Sequence, residues 1–185
     1  MKHNIVRINK IVLSNFKNVK KGIVEMPAYS GKELFSEKAD VLGLYGQNGS
    51  GKTSVVEALR FVKMLLSGEE LPADTKEYIA QGEEECEIDV SFSVAEEVQK
   101  ETVNYSVALK KDADGFVISH ERMTVVPRKE NIRAVESTLI DYQYDNEDVT
   151  FAPEYRYKKL VANDKKVRVA LNAVSYTHLT LPTKL

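Results

Sequence analysis

Polar and apolar residues alternate from the first strand-length stretch onward. In NIVRINKIVLSNF, Ile5, Ile8, Ile11 and Leu13 recur between polar partners, the period-two pattern of a strand with one covered face. KGIVEM reads as a second short strand after the turn NFKNVKK. ADVLGLYG is different: it is continuously apolar and ends in glycine, which predicts a central strand buried on both faces. The pattern then changes period. In KTSVVEALRFVKMLLSG, apolar residues fall at Val55, Val56, Leu59, Val62, Met64, Leu65 and Leu66, spaced for one helix, with Gly68 where a C-cap belongs. An acidic stretch, EELPADTKEYIAQGEEE, reads as a loop-rich connection.

Strands dominate from Cys86 onward. CEIDVSFSV alternates Ile88, Val90, Phe92 and Val94, and TVNYSVAL alternates Val103, Tyr105, Val107 and Leu109. Asp114 and Gly115 give a hairpin signal before FVISHERMTVV, and STLIDYQYD reads as a further strand. The order is therefore three strands, one helix, then a run of antiparallel strands. The fold class is α/β with α+β character: a strand–loop–helix unit carrying an added antiparallel β-subdomain. Regular βαβαβ alternation is missing, so a plain doubly wound domain fits poorly.

Composition narrows the class without deciding it. The chain has 185 residues, 43% hydrophobic and 29% charged, with a net charge of −2. That length suits one domain with a buried core. No apolar run approaches the roughly 20 residues that span a bilayer, and MKHNIVRINKIVL lacks the apolar core of a signal peptide. The lone Cys86 excludes an internal disulfide and suits a reducing cytoplasm. His3, His120 and His178 are scattered, without metal-ligand spacing. Charge is uneven: residues 1–38 hold eight Lys or Arg against three Glu, and residues 69–101 hold twelve acids against two Lys. Residues 153–172 turn basic again, six against two. These read as solvated faces, because no aromatics interleave with them; contact with a polyanion is the alternative.

The chemistry lies between the apolar run and the helix. GQNGSGKT matches G-x-x-x-x-G-K-[ST] in full, with an apolar run before it and an amphipathic helix after it. Gly46, Gly49 and Gly51 allow backbone angles and close approaches that a Cβ would block. The N–H groups of the loop, which also contains Gln47, Asn48 and Ser50, converge with the start of the helix near Lys52 as a nest for a β-phosphate. Lys52 brings a point charge to the β/γ oxygens, and the Thr53 hydroxyl is a hard ligand for Mg²⁺. The candidate cofactor-binding set thus runs from Gly46 to Thr53 and its neighbour Ser54, with ATP and Mg²⁺ as cofactors.

INKIVLSNFKNVKKGIVEM, VLGLYGQNGSGKTSVVEAL and YIAQGEEECEIDVSF resemble the N-terminal half of an ABC-type ATPase head. The resemblance is to the SMC, RecF and OLD-like group, often labelled AAA-family ATP-binding proteins. It rests on Asn15-Phe16-Lys17-Asn18, Asn48-Gly49-Ser50 and Glu57-Ala58-Leu59, and covers about residues 4–94. It implies the first lobe of a P-loop NTPase. It also implies a cytoplasmic protein that pairs two heads around ATP, as a homodimer, to act on DNA or an attached effector such as a nuclease in phage defence. Lys17 enters the candidate set on this resemblance, as a basic residue in a turn beside the nucleotide.

The resemblance also implies parts that the sequence lacks: a Walker B strand ending in Asp-Glu, a signature motif and a switch histidine. LLSGEE mimics a signature, but it follows the loop by only one helix and reads as a helix end. Gln81 and Gln143 are the glutamines on offer for the group's metal-contacting position, and neither stands in the expected context. Two alternatives differ in class: a small P-loop kinase, which calls for parallel βαβ units and an Arg-rich lid, and a nucleotide-sensing module without turnover. The last stretch, VSYTHLTLPTKL, departs from all preceding patterns and resembles a translated sequencing adapter. The expectation is an incomplete head over residues 1–173 and a non-native tail over residues 174–185.

Overall fold

The computed structural model describes residues 5–27, 41–96, 99–113, 115–128, 134–144 and 149–150. Among the described residues seven strands form one sheet in the order β2-β1-β3-β4-β5-β6-β7. They are β1 (Ile5–Phe16), β2 (Val19–Glu25), β3 (Glu85–Glu96), β4 (Gln99–Asp112), β5 (Gly115–Pro127), β6 (Ser137–Gln143) and β7 (Val149–Thr150). Every pairing is antiparallel. Among the described residues of the connection from β2 to β3 lie one α-helix, α1 (Lys52–Ser67), and a 3-10 helix over Ala73–Tyr78. No described helix is long and apolar enough to cross a membrane. The expected tail, residues 174–185, and the basic stretch 153–172 lie outside the described residues, as does Asp114 of the hairpin signal.

The alternation in the sequence becomes rows across the sheet. Leu13 stands opposite Ile88, which stands opposite Val107; Ile11 pairs with Val90, and Val90 with Tyr105. All six are buried, each at 2% exposure or less. Against this face α1 lays Ala58, Phe61, Val62 and Leu65, the i, i+3, i+4, i+7 stripe of an amphipathic helix. Burying each large side chain of this kind stabilises by about 1.5–3 kcal/mol. The helix ends at Gly68, whose left-handed φ of 67° turns the chain. The N–H groups of Gly68 and Glu69 then close on Leu65 O and Met64 O at 3.1 and 2.9 Å. LLSGEE is thus a helix terminus. Tyr78, at the end of the 3-10 helix, packs between Phe16 and Phe61 with ring centroids 5.1 and 5.6 Å away.

One expectation is corrected. The apolar run at 41–46 joins no strand: it pairs with nothing in the sheet, and Val41 and Tyr45 are 89% and 95% exposed. A strand buried on both faces requires neighbours that take up its N–H and C=O groups. Here β1 pairs directly with β3 and each later strand with its successor, so no interior position of the sheet is open to this segment. The α/β character is accordingly slight, and antiparallel pairing is the architecture.

Two polar pairs sit inside the apolar layers. Asn9, 3% exposed, occupies a bulge where the β1–β3 register shifts between Ile8 and Lys10. Its Oδ1 accepts from Ser93 Oγ at 2.9 Å, and its carbonyl accepts from Met26 N–H at 2.8 Å. Tyr105 donates its hydroxyl to Glu121 Oε1 at 2.6 Å, with both residues buried. Burial, and then the nearby carboxylate, hold the Tyr105 proton well above the usual phenol range.

Cys86 is buried at the start of β3 opposite Leu109. Loss of water pushes its thiol up from 9.0 to about 12. The unfolded chain releases that proton near pH 9 while the folded chain keeps it, so rising pH favours unfolding across this window. Stability contributed by the neutral thiol is intact below pH 9 and is lost progressively up to about pH 12. Urea titrations at stepped pH should show a flatter alkaline decline for Cys86→Ala than for the parent. Equal slopes between pH 9 and 12 would contradict the assignment.

Candidate phosphate-binding site

The G-x-x-x-x-G-K-T sequence forms a loop that leads directly into α1. Gly49 and Gly51 have φ of 82° and 88°, the left-handed region in which L side chains are strained. At Gly51 space is also exhausted: an added Cβ would lie 2.5 Å from Val19 Cγ2. Gly51 is the N-cap of α1, no side chain caps the first turn, and that turn carries no acidic residue. The positive end of the helix dipole therefore faces the loop without a carboxylate to offset it.

Lys52 folds back over the loop. Its Nζ donates to Gly46 O at 2.8 Å, Gln47 O at 2.6 Å and Ser50 Oγ at 3.2 Å, which uses all three ammonium donors. Ser50 N–H closes on Gln47 O at 3.2 Å, and Asn48 and Gly49 form the exposed tip. Thr53 is exposed on the first turn. Ser54 is buried, and its hydroxyl donates to Asn18 Oδ1 at 2.7 Å.

The β1–β2 turn and the first residue of β2 meet this loop and the helix after it with three consecutive residues. Lys17 places Nζ 2.7 Å from Glu57 Oε1, one turn into α1, and 5.4 Å from the centroid of the Tyr78 ring. Asn18 accepts from Ser54 and donates its amide to Gly49 O. Val19 covers Gly51. The turn itself is bent. Asn15 and Lys17 have φ of 51° and 53°, a conformation that costs a non-glycine residue roughly 1 kcal/mol or more. Backbone bonds hold it, from Lys17 N–H to Tyr78 O at 2.7 Å and from Ala80 N–H to Asn15 O at 2.8 Å.

The sequence-predicted residues 46–54 thus form one continuous loop and helix start, and Lys17 lies alongside the helix flank. The other glutamines stand elsewhere: Gln81 is exposed in the turn before β3, and Gln143 is exposed at the end of β6. Three acidic side chains of the stretch 83–89 accept hydrogen bonds from other strands. Glu83 accepts from Asn15 at 3.4 Å, Glu87 accepts from Ser106 at 3.2 Å, and Glu85 accepts from Ser119. Asn18 and Val19 are the functional neighbours that motif reading misses. The only signal for them is their position beside Lys17 in the Asn15-Phe16-Lys17-Asn18 stretch.

This arrangement fits a phosphate group with its metal. It combines an uncapped helix N-terminus, glycine positions that a Cβ would fill, an ammonium beside them, and an exposed threonine hydroxyl as a hard oxygen donor. Such features define a nucleotide-binding P-loop domain. Residues 41–171 match the family described as "AAA domain, putative AbiEii toxin, Type IV TA system", and the chain belongs to that AAA-domain family. Among solved structures it is similar to one titled "Structure of the recombination mediator protein RecF-ATP in RecFOR pathway", at 20% identity and a TM-score of 0.35. That likeness covers 74% of this chain and 28% of the other, so the chain spans little more than a quarter of that protein's length. No curated protein matches.

Packing at Gly51 gives a direct test of the loop. Gly51→Ala adds both left-handed strain and the overlap with Val19, and should lower stability by about 1–3 kcal/mol. Val19→Ala removes the overlap but also part of that side chain's packing against the core. Chemical denaturation should therefore show Gly51→Ala costing less in a Val19→Ala background than in the parent. An equal cost in both backgrounds would show that the Val19 contact does not matter.

Proposed function

We propose that the chain binds Mg-ATP through residues 46–53 and forms the nucleotide-holding part of a larger ATPase of the SMC, RecF and OLD-like kind. The observation that carries this reading is the convergence of Lys52, Gly51 and the uncapped start of α1 on one loop. Lys52 exchanges its contacts with the carbonyls of Gly46 and Gln47 for β- and γ-phosphate oxygens, while loop N–H groups and the helix dipole hold the remaining charge. Thr53 supplies a hydroxyl to Mg²⁺. AAA-family membership supports nucleotide binding. The sequence resemblance is what extends the reading to a cytoplasmic, head-to-head homodimer. On that extension ATP engagement drives DNA transactions, or gates an effector such as a nuclease in defence against phage. The antiparallel sheet weighs against a small P-loop kinase, whose fold is built from parallel βαβ units.

Binding and turnover are separable here. The loop supplies phosphate contacts, whereas hydrolysis also requires a group that positions water and charge that stabilises the transition state. Titration calorimetry with Mg-ATP should show lysine-dependent binding, with Lys52→Ala losing most of the affinity and little of the fold's stability, since its head lies on the loop surface. Phosphate release by the chain should not exceed that of the Lys52→Ala control. Equal ATP affinity in parent and variant would overturn the binding assignment, and lysine-dependent turnover would place a catalytic carboxylate within these residues.

A further inference from the structure

We infer that Asn18 is a positioning residue for the phosphate loop: it ties the loop tip to the first turn of α1 and holds both in register for an anion. This deepens the phosphate-binding reading and rests on it. The amide of Asn18 is used at both ends. Its Nδ2 donates to the carbonyl of Gly49, and its Oδ1 accepts from Ser54 Oγ at 2.7 Å. Ser54 is 3% exposed, so its hydroxyl is fixed in the core rather than offered to solvent. Gly49 stands two residues before Gly51 and has φ of 82°, a position that is conformationally loose by nature.

The bond to Gly49 O does two things. It engages that carbonyl with the β1–β2 turn, so its oxygen is occupied by a donor rather than left free to oppose an anion. It also removes conformers that the loop would otherwise have to give up on binding, which is how preorganisation raises affinity. The turn carrying Asn18 is itself held in a strained form. Positive φ at Asn15 and Lys17 is maintained by backbone bonds to Tyr78 and Ala80 and by the ion pair of Lys17 with Glu57. Strain kept in place by surrounding structure marks a segment whose geometry is used. Here the use is delivery of one amide between residues 49 and 54. The Lys17 and Val19 contacts flank it and set its distance from the loop.

The test uses the full chain, titrated with Mg-ATP and separately with tripolyphosphate, which carries the phosphates without the nucleoside. Variants are Asn18→Ala, Asn18→Asp, Ser54→Ala, the double Asn18→Ala/Ser54→Ala, and Lys52→Ala as the control for loop-dependent binding. Loss of one hydrogen bond's worth of organisation corresponds to a roughly three- to tenfold weaker affinity. Asn18→Ala should show that loss equally for ATP and for tripolyphosphate, with a lower melting temperature because the buried Ser54 hydroxyl loses its acceptor. Asn18→Ala/Ser54→Ala removes that hydroxyl and should regain melting temperature but not affinity. The double variant should be no weaker than Asn18→Ala, because both changes break the same strut. Asn18→Asp keeps the acceptor for Ser54 but opposes the Gly49 carbonyl with a charge, and should bind at least as weakly as Asn18→Ala. It reads out the same loss of affinity if the alanine variant does not fold.

Each contrary result has a distinct meaning. Loss for ATP but not for tripolyphosphate would make Asn18 a nucleoside contact and overturn the positioning role. A double variant that regains affinity as it regains melting temperature would make it merely structural. Unchanged affinity alongside a strong Lys52→Ala effect would sink the strut while leaving the loop assignment intact. A parent chain that binds no better than Lys52→Ala would remove both.

Discussion

The site depends on one contact: the turn between β1 and β2 resting on the phosphate loop. A glycine-rich loop has little that is intrinsically rigid, since the freedom that lets it approach a phosphate also lets it wander. Lys17, Asn18 and Val19 supply what it lacks, touching Glu57, Gly49 with Ser54, and Gly51 in turn. Because β1 is an inner strand of the sheet, this turn moves only if the sheet moves. Loop order is thereby inherited from the sheet through three side chains.

The polar pairs within the sheet have a related role. A strand slipped by one residue would turn its apolar side chains outward, and an all-antiparallel sheet of long strands invites such slips. Asn9 in its bulge meets Ser93, and Tyr105 meets Glu121, in one register only. A buried polar group left without its partner costs about 1–3 kcal/mol, so each pair penalises the shifted arrangement more than it stabilises the correct one. Fixing β1 against β3 in this way also fixes where the β1–β2 turn emerges, and hence where Asn18 stands.

Much of this is legible in the residues, for reasons that differ by element. The strands β1, β3 and β4 and the helix α1 each bury one side, so Leu13, Ile88, Val107 and Phe61 leave a period in the sequence. The loop is legible because phosphate chemistry restricts residue type at fixed spacing. The run at 41–46 misleads because unbroken apolarity reports only the absence of polar groups. It cannot tell a strand covered on both faces from a segment that pairs with nothing, as the exposure of Val41 and Tyr45 shows. Tyr78 is hidden for the opposite reason, as an aromatic anchor set in an acidic stretch that reads as loop. The contacts of Asn18 lie 31 and 36 positions along the chain and leave no local trace, since they arise only when a turn and a loop meet in space.

The order of the strands carries a consequence for how the chain assembles. From β3 to β6 each strand pairs with its successor, and such neighbouring hairpins close over short lengths of chain. The pairing of β1 with β3 is of another kind: Asn9 and Ser93 are 84 positions apart, and the phosphate loop and α1 both lie within that span. The entropy of drawing together so long a loop must be met before any β1–β3 contact rewards it. Contact order thus favours early formation of the meander, with the glycine-rich loop and α1 carried in the long loop that the β1–β3 pairing closes. Synthesis delivers the loop before β3 can anchor β1, so on the ribosome the glycines of the cradle wait, unsupported, for the surface that will order them.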